Sequence, residues 1–343
     1  MGKVKNILEP LAIVLVFTVG TLINRRKSSN KLRLPIGPET PLLREETRES
    51  DASEDSNREA RTESRLTIQS RFLAYFPFLI EIWYWLLTYW IYQGLRAVSA
   101  RAIDGHTAIF DGAQQHAIQI LSVERFLHID IELSVQRFVL NRAPWLMDIL
   151  AQIYYSHIAL GVVFLVYCYT CLPRGQYQGI RRTLALENAI AFVIFTAWRC
   201  SPPRLLPKEY GFVDVLHDNK SGSSWTHNKF QLTIAAMPSL HFGNSLFIAF
   251  CLIRFSPHRI LKVIAPLWPM MMLTTIVATA NHFILDAVVG ACVIAVAYRL
   301  NRFILILLPV ERVLFKVLCL KKPEEIHEGQ KQPDKDVDDR TVQ

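Results

Sequence analysis

Residues 235–286 begin with Ala-Ala-Met-Pro-Ser-Leu-His (235–241) and end with Asn-His-Phe-Ile-Leu-Asp (281–286). A hydrophobic run follows the first of these segments, and another precedes the second. Because a chain that crosses a membrane and returns has both ends on one side, we expect His241 and His282 to meet. If residues 282–286 are helical, His282 and Asp286 share a face. A carboxylate there can hold one imidazole nitrogen and leave the other free to attack, as in an activated nucleophile.

The composition predicts a membrane protein. Of the 343 residues, 51% are hydrophobic and 11% aromatic, and the apolar residues form long blocks. The net charge of +8 does not indicate nucleic acid, since Lys and Arg collect in the cytoplasmic loops of membrane proteins. Most of the six cysteines lie in or beside apolar segments, without a metal-type cluster with histidines. We therefore expect membrane lipids as partners, with no nucleic acid, no metal and no cofactor.

The hydrophobic segments predict an all-α, polytopic membrane protein with an N-terminal anchor helix and a six-helix transmembrane catalytic core. The first segment, 7–22, is followed by basic residues rather than by a cleavage site, which favours an anchor over a signal peptide. Residues 105–142 have apolar residues at helical spacing and predict helices lying on the membrane. The six core spans are predicted at 73–92, 146–170, 184–200, 239–255, 263–281 and 284–308.

The polar segments divide the chain into four parts. Residues 1–24 are the anchor, and the linker at 25–70 is too polar to bury a core, so we predict cytoplasmic disorder there. The transmembrane domain is assigned to 71–320. The charged tail at 321–343 is again predicted to be disordered and cytoplasmic.

The distribution of basic residues predicts the orientation. Lys and Arg cluster after the first, third, fifth and seventh spans, which places those connections in the cytoplasm. The loop at 201–237, His241 and His282 then lie on the lumenal or extracellular side. Asn219 begins a glycosylation sequon in this loop, in agreement with a lumenal address.

Two motifs together resemble a known family. Pro-Ser-Leu-His at 238–241, followed by His282-x-x-x-Asp286, resembles the second and third signatures of the type 2 phosphatidic acid phosphatase superfamily. Pro-Pro-Arg-Leu-Leu-Pro at 202–207 is similar to a segment of its inositolphosphotransferase branch, which includes fungal inositol phosphorylceramide synthase. The resemblance covers roughly residues 105–300.

The resemblance implies a catalytic mechanism. His282 would attack the phosphorus of a lipid head group and become phosphohistidine, while Asp286 would fix its tautomer and stabilise the imidazolium. His241 would donate a proton to the leaving alkoxide. Arg204 would bind the phosphoryl oxygens through its planar fork. Ser239 and Arg199 are further candidates for binding the substrate.

The sequence departs from the superfamily pattern at two places. The third signature usually carries Ser-Arg six to seven residues before its histidine, and Thr275-Ile276 stands there instead. The first signature usually has a Lys seven residues before its Arg, and none precedes Arg204 at that distance. With Leu240 in place of the usual glycine, these departures resemble sphingolipid phosphotransferases more than plain phosphatases.

The favoured function is therefore transfer of a phosphoinositol-type head group to a lipid acceptor such as ceramide. We expect it in the endoplasmic reticulum or Golgi membrane, with a lumenal active site. The alternatives are hydrolysis of a lipid phosphate or pyrophosphate, and a non-catalytic scaffold or transporter with the same fold. His157, in the middle of a predicted span, is expected to make a polar contact between helices rather than to act in catalysis.

Overall fold

The computed structural model describes residues 2–25, 68–216 and 233–318. Almost all of the predicted linker, the whole predicted tail and Asn219 lie outside these ranges. Within them the chain forms α-helices and short 3₁₀ turns but no β-strand, which confirms the all-α prediction. The α-helices are α1 Gly2–Ile23, α2 Ile68–Tyr75, α3 Phe78–Ile103, α4 Thr107–Phe126, α5 Glu132–Arg142, α6 Pro144–Cys171, α7 Arg174–Ala197, α8 Leu240–Phe255, α9 Arg259–Ile264, α10 Leu267–Ala278, α11 Ile284–Leu300 and α12 Leu308–Val317.

Three helical stretches are long and apolar enough to cross a membrane. They are Pro144–Cys171, Arg259–Ala278 and Ile284–Val317, and two shorter apolar helices occur at Pro10–Ile23 and Leu240–Phe255. The other two predicted spans correspond to α3 and α7, whose 26 and 24 residues include ionisable side chains. The chain is thus a helical membrane protein, while the full count of seven spans stays a prediction.

The chain divides into two compact units. The first contains Met1–Val19 and Tyr84–Leu305, and with them every predicted catalytic and substrate-binding residue. The second contains Gly20–Trp83 and Ile306–Gln343, of which residues 20–25, 68–83 and 306–318 are described.

Within the first unit, α11 packs against α7 and α8, and α10 packs against α5, α6 and α8. Two glycines permit the close approach of α8 and α11. A Cβ atom on Gly290 would collide with the backbone carbonyl of Ser239, and one on Gly243 would lie 3.0 Å from the carbonyl oxygen of Gly290. The Ser239 amide also donates a hydrogen bond to the Asp286 carbonyl, at 2.9 Å. The N-terminal ends of the two helices, which carry the two histidine motifs, are therefore held together.

Candidate active site

The structure brings the two motif histidines into contact. His241 lies in the first turn of α8, and His282 lies in the turn between α10 and α11. Nδ1 of His241 is 3.3 Å from Nε2 of His282, although 41 positions separate the two residues. The His241 side chain is half-buried, whereas His282 is buried.

The hydrogen bonds define the tautomer of each ring. Nδ1 of His282 lies 2.7 Å from the carbonyl oxygen of Ala236. Because a carbonyl can only accept, we infer that Nδ1 of His282 carries the proton and that Nε2 has a free lone pair. Nδ1 of His241 must then be the donor in the contact between the rings. The pair thus combines a nucleophilic nitrogen with a neighbouring proton donor.

Asp286 is placed near His282 but does not determine its tautomer. The sequence reasoning assumed a helix over 282–286, whereas α11 begins at Ile284 and His282 precedes it. Asp286 Oδ2 is 3.6 Å from His282 Nδ1, farther than the Ala236 carbonyl, and it accepts a 2.9 Å hydrogen bond from the Phe283 amide. Asp286 thus caps α11, and its fully buried carboxylate lies close enough to stabilise a positive charge on the imidazole.

Two aromatic side chains of α6 hold the ring of His241. Tyr154 stacks on it with ring centroids 4.5 Å apart, and His157 meets it edge-on at the same separation. Nδ1 of His157 lies 2.6 Å from the Tyr154 carbonyl oxygen, which fixes the orientation of His157. The interhelical contact expected of His157 is therefore made to His241 itself. Sequence reasoning missed Tyr154, although its spacing of three residues from His157 places both on one helical face.

Arg204 is tied to the turn that carries His282. Its Nε donates to Asn281 Oδ1 at 2.8 Å, and its backbone amide donates to the Ala280 carbonyl at 3.0 Å. Its Nη1 pairs with Asp214 Oδ2 at 3.4 Å, and only 8% of its side chain is exposed. Burial lowers the pKa of Arg204, and Asp214 partly offsets this effect. The group remains a guanidinium cation at neutral pH.

The other two binding candidates have structural partners. Ser239 is the N-cap of α8, where its hydroxyl accepts a 3.4 Å hydrogen bond from the Phe242 amide. Arg199 donates to the Ser99 hydroxyl at 3.3 Å, and its carbonyl oxygen lies 2.6 Å from Nδ1 of His116. The structure thus places Ser239 at the base of the histidine site and directs Arg199 towards α3.

Two buried glutamates from the helices at 105–142 also support the site. Glu124 accepts from the Leu285 amide at 2.8 Å, and Glu132 accepts from the Ile284 amide at 2.9 Å. Both satisfy free amides at the N-terminus of α11, although their side chains are fully buried. Burial raises the pKa of Glu124 to about 9 and also raises that of Glu132. Sequence reasoning missed this role, because acidic residues on an amphipathic helix usually face water.

Thr275 and Ile276, which replace the Ser-Arg of the third signature, are fully buried. Ile276 packs in a hydrophobic cluster with Met272 and Val277. Thr275 donates to the Met271 carbonyl within its own helix, at 2.8 Å. This part of α10 is thus used for packing and supplies no cation to the histidine pair.

Comparison with known proteins identifies the domain that contains this site. A family model described as the PAP2 superfamily matches residues 118–300, just over half of the chain. This range includes His241, His282, Asp286 and Arg204. No curated protein and no solved structure matches the chain.

Proposed function

Because this chain belongs to the PAP2 superfamily, that of the type 2 phosphatidic acid phosphatases, we propose that it transfers a phosphoryl-linked lipid head group through a phosphohistidine on His282. Membership of the superfamily supports a lipid phosphatase or phosphotransferase activity in general. The observation that carries the proposal is the 2.7 Å contact between Nδ1 of His282 and the Ala236 carbonyl oxygen, from which the tautomer of His282 is inferred. Its Nδ1 is occupied by the Ala236 carbonyl, so the lone pair of Nε2 faces the proton on His241.

The proposed first step breaks the bond between phosphorus and the lipid alkoxide. Nε2 of His282 forms a bond to phosphorus, and the leaving alkoxide takes a proton from Nδ1 of His241, which reacts as the imidazolium and is left neutral. In-line displacement puts the leaving oxygen on the side of phosphorus opposite His282 Nε2. The phosphoryl group of the substrate therefore has to enter between the two rings and replace their direct 3.3 Å contact. In the second step an acceptor hydroxyl returns a proton to His241, its oxygen bonds to phosphorus, and the P–N bond breaks.

The charged groups at the site suit this sequence of steps. Asp286 would stabilise the imidazolium that develops on His282, and Arg204 would bind the phosphoryl oxygens. The presence of His241, His282 and Asp286 together favours an enzyme over a scaffold, which would have no need of them. The Pro-Pro-Arg-Leu-Leu-Pro segment and Leu240 favour phosphoinositol transfer within the superfamily, with hydrolysis as the alternative.

One experiment separates these activities. The purified protein is incubated with labelled phosphatidylinositol, with and without ceramide, and both water-soluble phosphate products and new lipid are measured. Head-group transfer predicts new labelled lipid only when ceramide is present. Release of a water-soluble phosphate that ceramide does not alter would instead support hydrolysis, and no reaction of either kind would oppose the enzymatic proposal.

We also propose that the site faces the lumen, as the distribution of basic residues predicts. In intact microsomes, a membrane-impermeant thiol reagent should then leave Gly222→Cys unlabelled until the membrane is permeabilised. Gln176→Cys should be labelled without permeabilisation, because it is an exposed position in the connection that carries the predicted cytoplasmic cluster of Arg181 and Arg182. The opposite pattern would place the active site in the cytoplasm. A cysteine-depleted background removes labelling of the native thiols.

A further inference from the structure

Asp214 lies against the guanidinium that is expected to bind the phosphoryl group. Its Oδ2 is 3.4 Å from Nη1 of Arg204, and only 18% of the Asp214 side chain and 8% of the Arg204 side chain are exposed. Arg204 is itself fixed to the turn before α11, since its Nε donates to Asn281 Oδ1 at 2.8 Å, one residue from His282. A negative charge is thus held beside the proposed phosphate-binding cation, where solvent screens it only weakly.

The backbone on both sides of Asp214 is held by side chains of other helices. Gln136, on α5, forms two hydrogen bonds with Val213: its Nε2 donates to the carbonyl at 2.8 Å, and its Oε1 accepts from the amide at 3.0 Å. Gln136 is buried, so water does not compete for these bonds. The Tyr155 hydroxyl, on α6, donates to the Leu216 carbonyl at 3.2 Å. Because the chain is fixed at 213 and at 216, the Asp214 carboxylate stays in place when an anion approaches Arg204.

This arrangement distinguishes phosphoryl groups by their charge. A phosphodiester carries a single negative charge, whereas a phosphomonoester carries about two at neutral pH. Arg204 and Asp214 together are neutral, and the buried Thr275-Ile276, in place of the Ser-Arg of the third signature, supplies no further cation. Across a shared guanidinium, at about 6 Å and an effective dielectric constant of about 20, Asp214 weakens binding by about 10²-fold for each negative charge on the phosphoryl group. The second charge of a monoester is therefore penalised by about 10²-fold.

We propose that Asp214 is a specificity-determining residue of the histidine site, and that it selects singly charged phosphodiesters against doubly charged phosphomonoesters. The inference rests on the proposed function and adds to it the group that chooses between the two substrate classes. Discrimination between similar ligands often depends on a repulsive group placed beside the attractive one, which is the relation of Asp214 to Arg204. Asp214 acts through its charge on the bound phosphoryl group and takes no part in proton transfer.

The test uses two lipids that differ only by a methyl group on the phosphoryl oxygen. Phosphatidic acid is a monoester, phosphatidylmethanol is the corresponding diester, and both release diacylglycerol when His282 attacks phosphorus. The kcat/KM for release of diacylglycerol is measured for both lipids with the wild-type protein, Asp214→Asn and Glu209→Gln. Asparagine keeps the size of Asp214 and an acceptor oxygen for Arg204 but loses the charge. Glu209→Gln is a matched loss of charge at an exposed position of the same segment.

The readout is the ratio of the two kcat/KM values, because comparing this ratio between variants cancels the different intrinsic reactivities of the two lipids. Asp214→Asn should raise kcat/KM for phosphatidic acid, relative to phosphatidylmethanol, by about 10²-fold. Glu209→Gln should leave the ratio at the wild-type value. An unchanged ratio in a folded Asp214→Asn protein would overturn the inference, since a purely structural role of Asp214 affects both lipids alike. If thermal unfolding shows that Asp214→Asn does not fold, Asp214→Ser carries the same comparison.

A second arm needs no turnover and separates failure of this inference from failure of the proposed function. Its probes are methyl phosphate, a dianion, and dimethyl phosphate, a monoanion, at about pH 8, well above the second pKa of a phosphomonoester. Relative to wild type, Asp214→Asn should gain more thermal stabilisation from methyl phosphate than from dimethyl phosphate.

The combined results of the two arms have distinct meanings. This gain in stabilisation, with no release of diacylglycerol from either lipid by the wild-type protein, would remove the proposed function and keep the charge selection. Release of diacylglycerol with the same ratio in wild type and Asp214→Asn would overturn the inference and leave the function intact. Absence of both the gain and any release would overturn both.

Discussion

Replacing Asp286 by asparagine isolates the electrostatic part of its proposed role. The amide oxygen of Asn can still accept the hydrogen bond from the Phe283 amide, so the cap of α11 is kept. The Ala236 carbonyl continues to hold the proton on Nδ1 of His282. The substitution therefore removes the negative charge and leaves the tautomer and the helix start in place.

The expected loss of rate follows from the geometry. A carboxylate oxygen 3.6 Å from Nδ1 stabilises a full positive charge on His282 by about 4.6 kcal/mol at an effective dielectric constant of about 20. Both side chains are buried, so solvent screens the pair only weakly. If this interaction forms fully in the transition state, Asp286→Asn should slow phosphohistidine formation on the order of 10³-fold.

The measurement is a single-turnover quench with labelled lipid, compared among wild type, Asp286→Asn and Asp286→Ala. The Ala variant also loses the cap acceptor, so its unfolding free energy should fall by about a further 1 kcal/mol, a loss that Asn should not show. A decrease in rate of less than 10-fold in a folded Asp286→Asn protein would refute the electrostatic role. An equal loss of unfolding free energy in Asp286→Asn and Asp286→Ala would show that asparagine does not preserve the cap of α11, and would refute the claim that Asp286→Asn removes only the charge.

Three other substitutions test different parts of the structure. His241→Ala should slow the reaction of the natural lipid by about 10²–10⁴-fold, and a nitrophenyl ester, whose leaving group needs no proton, should lose much less; equal losses would remove His241 from the general-acid role. Gly290→Ala should destabilise the protein by about 1–3 kcal/mol and reduce its activity, because the added Cβ would meet the Ser239 carbonyl. The control Gly161→Ala should be tolerated, because no atom lies within 4 Å of its Cβ. Equal stability of the two variants would contradict the close packing of α8 and α11. The pKa of Glu124 is about 9 in the folded protein and 4.5 in the unfolded chain, so between these pH values only the folded protein holds the proton and wild-type stability should fall as pH rises from about 5 to 9. Glu124→Gln should flatten this dependence of the unfolding free energy on pH. A pH profile equal to that of the wild type would oppose a raised pKa for Glu124.

Hydrophobic blocks and motif spacing were sufficient to predict the helical class and the meeting of the two histidines. His241 and His282 border apolar segments that are predicted to return to one side, which places both residues on the same face. Their 3.3 Å contact also depends on the close packing of α8 against α11. The family model independently supports the motif assignment for the superfamily, although it does not identify the inositolphosphotransferase branch.

The orientation of the groups inside the site was not predictable in the same way. The partner of His282 Nδ1 is the backbone carbonyl of Ala236, and every residue has such a carbonyl. Which carbonyl points at a ring depends on the backbone conformation before α8 rather than on residue type. Glu124 and Glu132 were missed for a related reason, because the amides that they bind become available only where α11 starts.

The most direct test of the central claim is the detection of a phosphoryl group on His282. Protein quenched during reaction with labelled lipid should carry acid-labile, base-stable phosphate, and mass spectrometry should locate it on the peptide containing His282. His282→Ala should fold normally and carry none. A folded His282→Ala protein with full activity, or labelled phosphate that is stable to acid, would contradict a phosphohistidine on His282.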